Sequence, residues 1–165
     1  AGPSQVTSGF REALPNELES RVVAEEPVDL SASEGEILDR LEMIRERAER
    51  EREKDLLAEI RESGVRGLDE TLAALQEENR VYHLAVLWEL EGEIRWCDND
   101  QLAIRDVAAE ECPFCGQQTR VRSLADVLVD LAAARGAHLD FVRGENENTD
   151  ALRDEFGGVA GLTRF

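Results

Sequence analysis

Apolar residues recur at helical spacing through Ile37, Leu41, Ile44 and Ala48, directly after the run Ser33-Glu34-Gly35-Glu36. That run has the form of a capping box, in which the serine accepts a backbone N–H and the glutamate reaches back, so a long helix is predicted to open there. From Arg45 to Lys54 the sequence RERAEREREK leaves Ala48 as its only uncharged residue. Such a helix has no wide apolar face to bury. Opposite charges three and four apart support it as a solvated connector, or as the exposed face of a surface helix. Leu56, Leu57 and Ile60 resume an apolar stripe before Ser63-Gly64 stops the helix, which places a domain boundary between residues 1–62 and 63–165. Upstream, Phe10, Leu14 and Leu18 mark a short amphipathic helix, and Val22, Val23 and Val28 an extended run after it.

Beyond the boundary the periodicity alternates. Leu68, Leu72 and Leu75 give a helix over Leu68–Glu77, and Tyr82–Leu90 is a nearly continuous apolar run typical of a buried strand. An insert bearing cysteines extends from Ile94 to about Arg122. Trp88 and Trp96 flank the turn Glu91-Gly92-Glu93 and read as core residues or as a pair across a hairpin, because the glutamates around them do not suit an RNA-stacking platform. Ser123-Leu124-Ala125-Asp126 reads as a second capping box, for a helix through Ala134 that Gly136 ends. Ala137, Leu139 and Phe141 form one face of a strand, with His138 on the other. GENENTD reads as a polar loop, ALRDEF as a short helix, and Val159–Phe165 as a final strand after Gly157-Gly158. Strands separated by helices predict an α/β layered domain with at least partly parallel strands.

Composition narrows the class. In 165 residues, 42% are hydrophobic and 34% charged, which is globular rather than disordered. Nineteen basic against thirty-seven acidic residues leave a net charge of −18, and Lys54 is the only lysine. This surface repels phosphate backbones and excludes non-specific nucleic-acid binding by the chain alone. It suits a salt-rich cytoplasm, a reading favoured slightly over a GC-rich genome that prefers arginine to lysine. No apolar run reaches the length of a membrane span, and AGPSQVTSGF lacks a signal pattern, so a cytoplasmic protein without a membrane partner is expected.

Three cysteines lie close together. Cys112-Pro113-Phe114-Cys115-Gly116 is a good zinc knuckle, its glycine permitting the tight turn. Cys97-Asp98-Asn99-Asp100 is a degenerate one, with aspartate where a second cysteine would stand. The candidate ligands are therefore Cys97, Asp100, Cys112 and Cys115, around a structural zinc with no position left open for water. His83 is an alternative fourth ligand. The competing reading is a ribbon that has lost its ion and keeps two exposed thiols. His83 and His138, the only histidines, have no serine or cysteine in a nucleophile arrangement, and no catalytic residue is assigned.

Several stretches also match one family in order: AGP at the start, GLDETLAALQEENRVYHLAVL, CPFCG, LADVLVDLAAARGAHLDFV and the terminal FGGVAGLTRF, which closes on Leu162-Thr163-Arg164-Phe165. Together they resemble the C-terminal domain of the archaeal and eukaryotic class-one peptide-chain release factors, and PVDLSASEGEIL resembles the tail of that family's middle domain. The style is closest to the bacterial and haloarchaeal branch related to ribosome-rescue peptidyl-tRNA hydrolases. The resemblance implies an L7Ae-like α/β fold, a cysteine-rich mini-domain at the insert, and docking to the ribosome and to a translational GTPase. Hydrolysis in the family depends on a Gly-Gly-Gln loop of the middle domain. Here the only Gly-Gly is Gly157-Gly158, followed by Val159, so this chain is expected to lack release activity and to lie within a longer protein that carries it. The alternative is a non-catalytic L7Ae-like module binding RNA or protein, with the acidic charge weighing against RNA.

Overall fold

The computed structural model describes residues 4–19 and 21–164. The AGP motif (residues 1–3) and Phe165 of the terminal motif lie outside the described residues. The chain divides into two compact units between Arg52 and Glu53.

In the first unit, α1 (Ser4–Glu12) and α2 (Asn16–Glu19) replace the single helix expected through Leu18. Pro15 has no N–H for the preceding turn, so α1 ends before it and Leu14 falls in the connection. The chain around Val22 and Val23 is irregular, and Val28 is buried. The long helix α3 (Glu34–Ser63) opens as anticipated. The Ser33 N–H donates to the Glu36 carboxylate at 2.8 Å, and the Glu36 N–H to Ser33 Oγ at 3.3 Å. Its charged stretch is laced by exposed pairs, Arg45 with Glu42 and Glu49 and Arg50 with Glu46. Only Leu56, Leu57 and Ile60 of α3 are buried, and they pack in the second unit. The expected boundary at residue 63 is where α3 passes into the first strand.

The second unit continues with β1 (Gly64–Arg66), α4 (Gly67–Leu72) and a π-helical segment (Ala73–Glu77). Next come β2 (Val81–Leu87), β3 (Glu93–Cys97), β4 (Leu102–Ile104) and β5 (Arg120–Ser123). Then α5 (Leu124–Arg135), β6 (His138–Val142), α6 (Glu147–Asp154) and β7 (Val159–Thr163) complete it. The main sheet has the order β1-β7-β2-β6, with β2 and β6 parallel and β7 antiparallel to both β1 and β2. Leu84 and Val86 bury one face against Leu75, Leu128 and Leu131, while Ala85 and Leu87 bury the other against Leu57, Ile60, Leu152 and Phe156. A strand covered on both faces must be apolar throughout, which is why β2 reads as a continuous run. The expected α/β layering is present, and Ala137, Leu139 and Phe141 share one face as predicted.

Glycine sets the closest approaches around β7. A Cβ on Gly64 would stand 2.6 Å from the Gly161 carbonyl oxygen and 2.7 Å from Ile60 Cγ2. Gly157 and Gly158 have φ of 64° and 84°, and form the turn that feeds β7. There the Gly158 N–H donates to the Leu152 carbonyl, and the Leu87 N–H to the Gly158 carbonyl, each at 2.8 Å.

Three local expectations fail for identifiable reasons. Ser123 makes no side-chain cap, because its backbone pairs with Glu93 as the end of β5. Helix α6 begins four residues before ALRDEF, inside the supposed loop, because the Asn146 side chain accepts the N–H groups of Asn148 and Thr149 as an N-cap. Trp88 and Trp96 do not pair, since β2 and β3 belong to different sheets. Trp88 lies edge-on to Phe141 with ring centroids 5.4 Å apart, and Trp96 is buried.

Candidate metal centre

The insert folds as a second, antiparallel sheet of order β4-β3-β5. Ile94, Trp96 and Ala103 tie it into the main core. Gln76 of the π-helical segment adds a two-point clamp. Its side-chain amide donates to the Ala103 carbonyl and accepts the Ala103 N–H, both at 3.1 Å, as a neighbouring strand would.

The two knuckles meet at one end of this sheet. The first leaves β3 at Cys97, and the Asp100 N–H turns back onto Cys97 Sγ at 3.4 Å. In the second, the Gly116 N–H donates to the Cys112 carbonyl at 2.9 Å and the Cys112 N–H to the Gln117 carbonyl at 2.8 Å, with Gly116 at a φ of 70°. One ligand atom from each of Cys97, Asp100, Cys112 and Cys115 lies within 4.8 Å of every other. Cys97 Sγ is 3.5 Å from Cys115 Sγ, and Asp100 Oδ2 is 3.1 Å from Cys112 Sγ and 3.7 Å from Cys97 Sγ. Tetrahedral zinc with Zn–S bonds of about 2.3 Å and Zn–O bonds of about 2.1 Å separates its ligands by roughly 3.5–3.8 Å. The separations to Cys97 Sγ match that spacing and Asp100 stands closer to Cys112 than it requires, so the four side chains could hold the ion after a small shift of the carboxylate. A zinc held by all four is coordinatively closed and supplies cross-linking, not chemistry.

The four groups are coupled electrostatically. The backbone N–H of Asp100 holds the Cys97 thiol below its ordinary range. The thiols of Cys115 and then Cys112 hold the Asp100 carboxyl down, and in return that carboxylate pushes the Cys115 thiol up to about 12. The protons shared in this cluster are those that a divalent ion displaces on binding. Asp98 is occupied elsewhere, accepting from Trp96 Nε1 at 3.1 Å and from Arg120 at 2.6 Å. The image of two exposed thiols does not describe this cluster: Cys97 and Cys112 are buried and Cys115 is half-buried. Nor is His83 a fourth ligand here; β2 brings it instead beside His138 and Asp140. Sequence reasoning kept the two histidines apart, although His138 and Asp140, two residues apart in a strand, necessarily share a face.

No family model matches the chain. Among solved structures, it is similar to the C-terminal domain of the peptide chain release factor from Methanosarcina mazei, at a TM-score of 0.50 and 21% identity over 82% of this chain and 97% of that one. The two share a fold. Archaeoglobus fulgidus Pelota aligns at a TM-score of 0.48 and 22% identity, and an archaeal translation termination factor at 0.44 and 21%. In both, 99% of this chain is covered, but it spans only 47% and 41% of theirs. Among the described residues, no helix is long and apolar enough to cross a membrane.

Proposed function

We propose that this chain is the C-terminal docking portion of a release-factor-like protein that acts in translation termination or ribosome rescue. The observation that carries the reading is the shared fold over nearly the whole of the Methanosarcina release-factor domain. The family motifs, in order from Gly67 to Arg164, agree with it. In this reading the chain meets the ribosome and a translational GTPase, while peptidyl-tRNA hydrolysis belongs to a Gly-Gly-Gln loop elsewhere in the protein. The branch is the bacterial and haloarchaeal one related to rescue hydrolases. The cysteine centre holds a structural zinc on Cys97, Asp100, Cys112 and Cys115 and stiffens the insert, at whose knuckle Phe114 is exposed. An acidic surface favours a protein partner or basic ribosomal proteins over RNA.

The test is peptide release from ribosomes carrying peptidyl-tRNA by the full-length protein, with and without a stop codon, alongside co-sedimentation of this chain with ribosomes and GTPase. Release confined to stop codons assigns termination, and codon-independent release assigns rescue. No release and no co-sedimentation by a folded protein overturns the proposal and leaves a binding module of the same fold.

A further inference from the structure

We propose that His83, His138 and Asp140 form a second metal site, for a transition-metal dication of the zinc, copper or nickel type, on the main sheet and separate from the cysteine centre. Strand register builds it. His83 of β2 is the direct partner of His138 on parallel β6, and Asp140 follows two residues later on the same face. The imidazole centroids are 4.7 Å apart. Asp140 reaches both rings, Oδ2 to His83 Nε2 at 2.8 Å and Oδ1 to His138 Nδ1 at 3.7 Å. One ligand atom from each of the three lies within 4.8 Å of the others. Tetrahedral ligands at metal distances of about 2.0–2.1 Å stand roughly 3.3 Å apart, so small side-chain rotations suffice to bring one atom of each residue onto a shared ion.

The donor set selects the ion. Two imidazoles and one carboxylate suit zinc, copper and nickel, whereas magnesium and calcium take oxygen ligands and purely thiophilic ions take sulfur. Three protein ligands leave at least one coordination position unfilled. That position is open to water, because His138 is 68% exposed and β6 is the edge strand of its sheet. The site is therefore of the exchangeable kind, in contrast to the closed, buried cluster in the insert. The frame is rigid: β2 is an interior strand, and Leu84, Ala85 and Val86 beside His83 are fully buried, which fixes the register on which the three ligands depend. A net charge of −18 also enriches dications near the surface.

Zinc titration of the purified chain in millimolar magnesium, which occupies diffuse acidic binding, tests this directly. His138→Ala removes an exposed ligand, and His83→Gln is the second variant; circular dichroism checks that both are folded. The wild type is expected to bind one more zinc per chain than either variant, with micromolar or tighter affinity. The thiolate-to-metal absorption given by cobalt at the cysteine centre should be the same in all three. The ring resonances of His83 and His138 should shift with the extra equivalent. Identical stoichiometry in wild type and variants, or imidazole resonances that zinc does not move, overturns the proposal.

Discussion

Two aspartates in one four-residue turn have different tasks. Asp98 is held by Trp96 and Arg120, while Asp100 faces the sulfurs. Asp100→Asn should therefore lower retained zinc after dialysis against a weak chelator, and Asp98→Asn should leave it unchanged. Asp100→Cys, which completes the first knuckle, should resist the chelator better than the wild type. Equal zinc content in Asp100→Asn and Asp98→Asn would remove Asp100 from the ligand set. Gly64 offers a test of packing: with a carbonyl 2.6 Å from the added Cβ, Gly64→Ala should destabilise the second unit by about 1–3 kcal/mol in urea unfolding. The cysteine cluster was legible because a knuckle is a local pattern, written in four consecutive residues. The histidine cluster was not, because His83 and His138 meet only through the pairing of β2 with β6, which no local spacing records.

At the scale of elements, the same division between local and distant causes decides what could be read. The start of α3 was legible because Ser33 and Glu36 satisfy each other. The supposed box at Ser123 has the same spelling, yet strand pairing with Glu93 claims its backbone and the Leu124 N–H goes to Gly92. Ser33→Ala should cost the first turn of α3 about 1 kcal/mol. Faster amide exchange at Ile37, whose N–H donates to the Ser33 carbonyl, with no change at Leu57, would show it. Gln76→Ala removes both points of the clamp on β4. The Ala103 amide should then exchange faster while amides of β2 keep their protection. Equal exchange at Ala103 in variant and wild type would mean that the apolar contacts of Ile94 and Trp96 hold the insert alone.

For the whole molecule, charge is the dominant long-range term. The ion pairs along α3 and that of Arg61 with Glu155 are solvent-exposed and contribute little each, so screening them removes little. Screening the self-repulsion of a net −18 gains more. Thermal unfolding followed by circular dichroism should therefore shift to higher temperature as potassium chloride is raised; a midpoint that stays fixed or falls would show that local pairs outweigh the net charge. Layering was legible at this scale, since buried strands alternating with helices admit few architectures. The order of the strands was not, because nothing in Val159–Thr163 says that it lies between β1 and β2.

That placement has a consequence for synthesis. A ribosome making this chain delivers β1, β2 and β6 before the strand that joins β1 to β2. Until β7 emerges, β2 can pair with β6 alone, and β1 has no neighbour in the sheet. The nascent chain must therefore hold open the two edges that β7 joins from the time β2 is made until β7 emerges, the state in which strands are most prone to wrong partners. Closure of the sheet is a single late event, governed by a strand of five residues.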